Sequence, residues 1–266
     1  MSRGRVGSQG SRKFRRRCIP LALLAASLSA LDACATEPEL TVAIQPDIPP
    51  YVMENAGRGL EVEIVRRALA GYTLHFIQMP YGELQTAVPK KRAKVAVAVQ
   101  HFSDDGVFYS NDFMTFENYA ITRKPARLTI DRVAELANHK VLAWQDAYLE
   151  LGPAFERLFS PGSAQRKNYV EYGDQREQVR VFWAAPADVI VIDRSIFRYY
   201  SVKAGHSMSE VAFHSLFPPV TSFKIGFEEP AVRDAFNRGL AKLCKTGEYA
   251  KLLEQYHIEL QRSICN

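Results

Sequence analysis

Two stretches of this chain repeat the same order of strands and helices, and this repeat limits the fold more than any other feature. Short apolar runs typical of strands begin near residues 40, 73 and 95, and again near residues 140, 167 and 189. Helical spacing lies between them, including predicted helices from Tyr81 to Val88 and from Tyr148 to Phe159. Alternating strands and helices are typical of a parallel sheet covered by helices. The sequence therefore predicts an α/β chain with two βαβαβ halves, each with its own sheet.

The second half ends in a buried strand followed by an acid. Val189 to Ile192 is an unbroken β-branched run, typical of a strand covered on both faces, and helical spacing resumes after Asp193. Open α/β sheets bind ligands at the carboxyl edge of their strands, so Asp193 is a candidate ligand-binding residue. The same side chain is also well placed to cap the following helix, and the two roles are compatible.

Two extended segments join the halves. Asn118 to Thr122 leads from the first half into the second, and Thr221 to Phe227 returns the chain to the first. A chain that crosses twice leaves a cleft between two lobes, which favours closure of the lobes around a ligand. We expect a signal peptide over residues 1–35, lobe 1 over 36–122 and 223–266, and lobe 2 over 123–222.

The first 35 residues have the features of a signal peptide. Seven basic residues precede an Ala- and Leu-rich run from Ile19 to Leu31, which is short for a membrane span. The Ala33-Cys34-Ala35 motif favours cleavage before Thr36, and a lipobox-like motif ending at Cys34 makes a lipid anchor the alternative. The paired arginines lack the preceding Ser or Thr of a twin-arginine signal. The predicted location is the periplasm.

Removal of this leader changes the conclusions from charge and cysteine content. The leader holds seven basic residues and one acidic residue, so the net charge falls from +5 to near −1 and gives no reason to expect a nucleic-acid partner. Two of the four cysteines remain, Cys244 and Cys265, 21 residues apart in a chain bound for an oxidising compartment. We predict a disulfide between them, with two free thiols as the alternative.

Motifs for metal, nucleotide and hydrolase chemistry are missing from the sequence. The six histidines show no H-x-H or HExxH spacing, and there is no GxSxG motif. The glycine pair around Arg58 lacks the third glycine of a dinucleotide-binding loop. We therefore expect neither a metal nor a cofactor.

Several short motifs follow one another in a fixed order along the chain. The first strand leads into a Pro-rich loop that ends at Tyr51, and Gly59-Leu60-Glu61 opens the next helix. The other motifs are Met79-Pro80-Tyr81, Tyr109-Ser110-Asn111-Asp112-Phe113, Val191-Ile192-Asp193-Arg194 and Gly247-Glu248-Tyr249. Together, over about residues 38 to 258, they resemble the family 3 periplasmic solute-binding proteins, which are the polar amino-acid receptors of ABC importers. The resemblance implies a two-lobed type II periplasmic binding protein fold in which Asp193 holds the amino group of a ligand.

Two segments depart from the family pattern. Typical members carry an arginine after the third strand that binds the α-carboxylate of an amino acid, whereas Gln100 to Phe108 contains no arginine. After the fourth strand, Trp144-Gln145-Asp146-Ala147 stands where the family has Gly-Ser or Gly-Thr. Because no carboxylate replaces an arginine fork, we expect a cationic or neutral polar ligand more readily than a free α-amino acid.

Three aromatic residues are candidates for contact with the ligand. Tyr51 and Tyr81 are expected to stack on it, since flat amphipathic rings suit that use. Trp144 is expected to close over the ligand from the second lobe. Core packing is the alternative for all three residues.

The remaining candidates are polar. Gln100 and His101 are candidate hydrogen-bond partners, although His101 also fits an ordinary loop histidine. Asp146 either contacts the ligand or caps the helix that follows it. Gln45 occupies a position that contacts ligand side chains in some members of the family, so the resemblance makes it a candidate ligand-binding residue.

These features predict a monomeric extracytoplasmic solute-binding protein that has no catalytic activity and delivers a small polar solute to an ABC permease. One alternative is a periplasmic enzyme on the same fold, of the prephenate dehydratase type, with Glu83, Asp104 or Asp193 as general acid. The other alternative is a ligand-sensing module.

Overall fold

The computed structural model describes residue 1 and residues 37–185, 189–218, 220–260 and 262–265. Apart from Met1, the predicted signal peptide and the Cys34 anchor lie outside the described residues. Among the described residues, no helix combines the length and the apolar character needed to cross a membrane. Residues from Glu37 onward form one compact unit.

The described residues form eleven strands and seven α-helices, joined by loops and short 3-10 turns. The strands are β1 Glu39–Ile44, β2 Thr73–Gln78, β3 Val95–Val99, β4 Phe108–Tyr109, β5 Met114–Phe116, β6 Asn118–Arg123, β7 Val141–Trp144, β8 Tyr169–Tyr172, β9 Val189–Asp193, β10 Val211–His214 and β11 Thr221–Phe227. The helices are α1 Leu60–Ala68, α2 Tyr81–Leu84, α3 Pro153–Phe159, α4 Gln175–Ala184, α5 Arg194–Lys203, α6 Pro230–Lys245 and α7 Glu248–Gln255.

The strands form two separate sheets with the same internal plan. In the first sheet the order is β2-β1-β3-β11-β4, with β5 also paired to β11; in the second it is β10-β6-β9-β7-β8. In each sheet three strands are parallel, and the first of them in sequence lies between the other two. One strand from a crossing segment completes each arrangement: β11 pairs antiparallel with β3 in the first sheet, and β6 pairs antiparallel with β9 in the second. The predicted two-lobed α/β fold with two crossing strands is confirmed.

The buried faces follow from the sequence pattern. All five residues of β3 and all five of β9 are buried, as expected for central strands made of apolar runs. We call the first sheet and the helices packed on it the first lobe, and the second sheet with its helices the second lobe. Because β6 pairs with β9 from Asn118 onward, the first crossing lies at Glu117, a few residues before the predicted boundary after residue 122. The division into lobes by residue number remains a proposal.

The two helices predicted in the site region are shorter than expected. The predicted helix from Tyr148 to Phe159 is interrupted, since a 3-10 turn at Ala147–Leu149 is followed by Gly152 with φ 90° and a new helix that begins at Pro153. Proline lacks the amide hydrogen needed inside a helix but suits its first position, so Pro153 starts the helix. Helix α2 covers Tyr81–Leu84, and turns rather than a helix continue toward Val88.

A disulfide joins the end of α6 to the C-terminal segment. Cys244 and Cys265 are bonded, which confirms the predicted pair. The bridge connects α6 to the segment after α7, so it fixes the end of the chain against the first lobe.

Candidate functional site

A small cavity lies where the carboxyl ends of the parallel strands of both lobes meet. The first lobe lines it with residues that follow β1 and β2 and with residues of β3, β5 and β11, and the second lobe with residues at the ends of β7, β8 and β9. The lining residues are Gln45, Pro46, Ile48, Tyr81, Ala98, Phe116, Asn118, Trp144, Gln145, Tyr172, Gly173, Gln175, Asp193, Ile196 and Phe223. We call this space, with a volume of about 50 Å³, the inner cavity.

Asp193 is held rigidly at the edge of the inner cavity. It is 3% exposed, and its Oδ1 accepts hydrogen bonds from the backbone N–H groups of Ser195 (2.8 Å) and Ile196 (3.1 Å), so it caps α5. Its Oδ2 accepts from the backbone N–H of Glu117 (2.9 Å) at the crossing. Burial raises the pKa of the Asp193 carboxyl to about 6, although these backbone donors counteract the rise. The capping interpretation holds, and the carboxylate also lines the cavity.

Tyr51 occupies a different place from the one predicted. Its ring is fully buried and packs 4.5 Å from that of Phe116, and it is not among the residues that line the cavity. Its hydroxyl donates to Asp193 Oδ1 at 3.1 Å. Since the ring is covered on both faces, Tyr51 orients Asp193 from behind, and the predicted stacking on a ligand is replaced by this supporting contact. Ile48, from the same loop, faces the cavity instead.

Tyr81 and Trp144 line the inner cavity from different lobes. Trp144 ends β7 and is 9% exposed, and Tyr81 begins α2 in the first lobe. The Tyr81 hydroxyl donates to Glu150 Oε1 of the second lobe at 3.2 Å. Tyr81 therefore also bridges the lobes, and the predicted contact of Tyr81 and Trp144 with a ligand remains a proposal.

Gln45 connects the cavity to a second buried acid. Its Nε2 donates to Glu61 Oε1 at 3.3 Å and Oε2 at 3.4 Å, and both side chains are buried. Glu61 lies in the first turn of α1, where the helix dipole favours a negative charge. Burial nevertheless raises the pKa of Glu61 to about 8.

Glu61→Gln is expected to remove part of the pH dependence of stability. Because the pKa of Glu61 is higher in the folded chain than in the unfolded chain, the folded state binds the proton more tightly. The free energy of unfolding therefore falls as the pH rises from about 4.5 to about 8, by at most about 1.4 kcal/mol per pH unit for this one group. Urea titrations at pH 5, 7 and 8 should give a flatter profile for the variant; the difference from the wild type is largest between pH 5 and 7 and smaller, but still present, between pH 7 and 8.

Glu63→Gln, on the more exposed side of the same helix beside Arg67, is the matched control and should keep the wild-type profile. A steep fall between pH 7 and 8 that persists in Glu61→Gln would show that another group is responsible.

A wider groove adjoins the inner cavity. It has a volume of about 570 Å³ and shares Tyr81 and Ala98 with the cavity. Gln100, Asp146 and Glu150 line it, and burial raises the pKa of Glu150 to about 7. Asp146 has φ 61° and makes no side-chain capping hydrogen bond, so the capping alternative does not describe it. Gln100 donates from Nε2 to the carbonyl of Ser222 at 3.2 Å.

His101 lies apart from the other candidates. Its side chain is exposed and makes an edge-to-face contact with Tyr109 at 4.9 Å between ring centroids. It lines a separate depression with Phe108, Lys224 and Arg233, among others. The structure thus brings Gln45, Tyr81, Gln100, Trp144, Asp146 and Asp193 to the cleft and leaves His101 outside it.

Several residues at the cavity were not predicted. Tyr172 ends β8 and Gln175 begins the helix after it, so the rule that ligands meet the carboxyl ends of parallel strands was enough to find them. Phe116 comes from β5, just before the first crossing, and Phe223 from the crossing strand β11, and no motif marks them.

Comparison with known proteins gives the class of fold. The chain superposes with a TM-score of 0.69 and 18% identity on a histidine kinase sensor domain with similarity to periplasmic binding proteins, covering 84% of this chain and 98% of that one. A substrate-binding protein of an amino acid ABC transporter from Streptococcus pneumoniae, bound to L-arginine, gives 0.64 and 17%, with coverages of 82% and 94%. Another S. pneumoniae uptake protein, with bound histidine, gives 0.67 and 15%, with coverages of 82% and 92%.

The protein therefore has the two-lobed fold of periplasmic binding proteins, as the resemblance in the sequence implied. No protein-family model and no curated protein matches the sequence.

Proposed function

We propose that this chain is an extracytoplasmic solute-binding protein that captures a small polar solute, amino-acid-like or cationic, in the cleft between its lobes and presents it to an ABC importer. The main support for the proposal is the position of Asp193. This buried acid lies at the carboxyl edge of the second sheet and lines a cavity that the first lobe closes. A fixed charge in a concave site between two lobes is typical of ligand capture by closure.

The chain itself supplies binding rather than catalysis in this proposal. Two of the three acids weighed as a general acid lie away from the inner cavity. Glu83 forms an exposed ion pair with Arg92 at 2.5 Å, and Asp104 is exposed in a loop. Asp193 is occupied by backbone donors that fix it in one position, which suits a countercharge held in one place rather than a group that delivers a proton to a substrate.

Ligand binding is tested by differential scanning fluorimetry and calorimetry on the purified protein, with amino acids, polyamines and small quaternary amines as probes. A true ligand should raise the melting temperature with the logarithm of its concentration and bind with a stoichiometry of one. If no compound of these classes stabilises the protein, the proposal fails.

A ligand-sensing role is the second candidate, because a histidine kinase sensor domain shares this fold over 98% of its length. Uptake of the radiolabelled ligand distinguishes the two. An importer component predicts that cells without this protein lose high-affinity uptake, whereas a sensor predicts normal uptake and an altered transcriptional response.

A further inference from the structure

Aromatic rings make up a third of the residues that line the inner cavity. Five aromatic side chains from both lobes line it, and three of them are less than a tenth exposed. The five are Tyr81, Phe116, Trp144, Tyr172 and Phe223. The faces of such rings carry negative electrostatic potential, so a group of rings around a small space attracts a cation without hydrogen bonds.

The charged side chains around the cleft are all acidic in the part of the lining that the structure describes. Among the described residues that line the inner cavity, Asp193 is the one charged side chain, and the described lining of the wider groove adds Asp146 and Glu150. Neither lining, in the part that the structure describes, includes Lys or Arg. A ligand carboxylate would therefore meet acids and no basic partner, which is unfavourable in a site shielded from water.

Asp193 offers a charge but little hydrogen-bonding capacity. A carboxylate has about four lone-pair sites. Asp193 already accepts hydrogen bonds from the Tyr51 hydroxyl and from the N–H groups of Glu117, Ser195 and Ile196. A primary ammonium with three N–H donors would find few acceptors on Asp193, whereas an alkylated ammonium without N–H groups requires none.

The size of the cavity agrees with a small group. A volume of about 50 Å³ exceeds the roughly 10–15 Å³ needed for one water molecule on the same measure. It suits a compact head group more than an extended chain. Tyr81 and Ala98 border both spaces, so the groove that holds Asp146 and Glu150 adjoins the place where a head group would sit.

We infer that the inner cavity selects the alkylated ammonium group of a small organic cation that carries no carboxylate, with the aromatic rings surrounding its alkyl groups and Asp193 supplying the opposite charge. This inference rests on the proposed function as a solute-binding protein and names the chemical class of the solute. It separates this site from one that reads the α-carboxylate of an amino acid.

Calorimetry with matched probes tests the inference. Choline and 3,3-dimethylbutan-1-ol have the same shape, but only choline is charged; glycine betaine keeps the trimethylammonium group and adds a carboxylate. We expect choline to bind at least about tenfold more tightly than either compound. Equal binding of choline and the neutral alcohol would overturn the inference, and so would tighter binding of glycine betaine.

The same experiment separates the two proposals. Saturable binding of a free amino acid, with no binding of choline or tetramethylammonium, would refute the inference and leave the proposed solute-binding function intact. Failure of every probe and every amino acid to bind would refute both.

Variants of Trp144 identify the contribution of the rings. Trp144→Leu should weaken choline binding by about 5- to 30-fold and reduce its preference over the neutral alcohol, whereas Trp144→Phe keeps a ring and should retain most of that preference. Tyr148→Leu is the control, because Tyr148 lies beside Arg166 and lines neither space. An unchanged preference in Trp144→Leu, with the fold intact by circular dichroism, would contradict the role of the rings.

Discussion

Asp193→Asn is expected to weaken the binding of a cationic ligand by about 100-fold or more. Removing one partner of a buried charge pair costs about 2–5 kcal/mol, because the other charge is left without compensation. The asparagine amide also fits this position poorly, because both carboxylate oxygens of Asp193 accept from backbone N–H groups. The NH₂ group, itself a donor, must face either the N–H of Glu117 or those of Ser195 and Ile196. We therefore also expect a loss of stability of about 1–3 kcal/mol.

The pH dependence of binding gives a second measure of the same carboxylate. Burial raises the pKa of Asp193 to about 6 in the free protein. Below that pH the carboxyl is protonated and no longer attracts a cation, so the affinity should fall by up to about tenfold for each pH unit. Calorimetry from pH 5 to pH 8 should show this fall in the wild-type protein and a smaller dependence in Asp193→Asn.

Asp174→Asn is the control for the loss of a capping carboxylate. Asp174 caps α4 by accepting from the N–H of Arg176 at 2.8 Å, much as Asp193 caps α5, but it does not line the cavity. Its replacement should lower stability and leave affinity unchanged. If both variants bind the ligand like the wild type, Asp193 is a structural cap and the proposed site is wrong.

The sequence was informative about the fold because its strands are short apolar runs separated by helical spacing. The strands predicted to begin near residues 73 and 95 begin at Thr73 and Val95, and the predicted extended segment Thr221 to Phe227 coincides with β11. Prediction was weaker where the backbone turns, as at Gly152 and Pro153, because a helical pattern of apolar residues continues across a break that the backbone imposes. The two-residue strand β4 gives too few residues for any periodicity.

The candidate site was most predictable near the carboxyl ends of the parallel strands. Asp193 and Trp144 end β9 and β7, so the topology fixes their position at the cleft. Tyr51 belongs to an irregular loop. Because such a loop has no regular period, the sequence does not predict the direction in which each side chain points, and tertiary packing decides it. Its ring turned out to support Asp193 from the core, and Ile48 reaches the cavity instead.

The rings of Phe116 and Phe223 show why the aromatic character of the cavity was not visible in the sequence. They lie on β5 and β11, which pair antiparallel to each other, and their centroids are 5.1 Å apart. In the sequence, aromatic residues in these strands cannot be distinguished from ordinary β-strand residues, because the pairing of the strands is not yet known. The chemistry of the site therefore depends on contacts between residues that are about a hundred positions apart.

Gly82→Leu is expected to weaken ligand binding by about tenfold or more without destabilising the protein. Gly82 lies in α2 of the first lobe, and a Cβ atom at this position would come within 2.8 Å of Gln145 Nε2 and 3.0 Å of Asp146 Oδ2 in the second lobe. An alanine requires only small shifts of these side chains, but a leucine needs space that exists only when the lobes separate. The closed, binding-competent state then becomes a minor population, and the apparent dissociation constant rises in proportion.

Gly71→Leu is the matched control, because a Cβ atom at Gly71 meets nothing within 4 Å. Small-angle scattering with saturating ligand should show a larger radius of gyration for Gly82→Leu than for the wild type and the control. Since leucine is a better helix former than glycine, the free energy of unfolding should not fall by more than a few tenths of a kcal/mol. Wild-type affinity in Gly82→Leu would mean that the ligand binds without this contact between the lobes. In that case, close approach of α2 to the second lobe is not required for ligand binding.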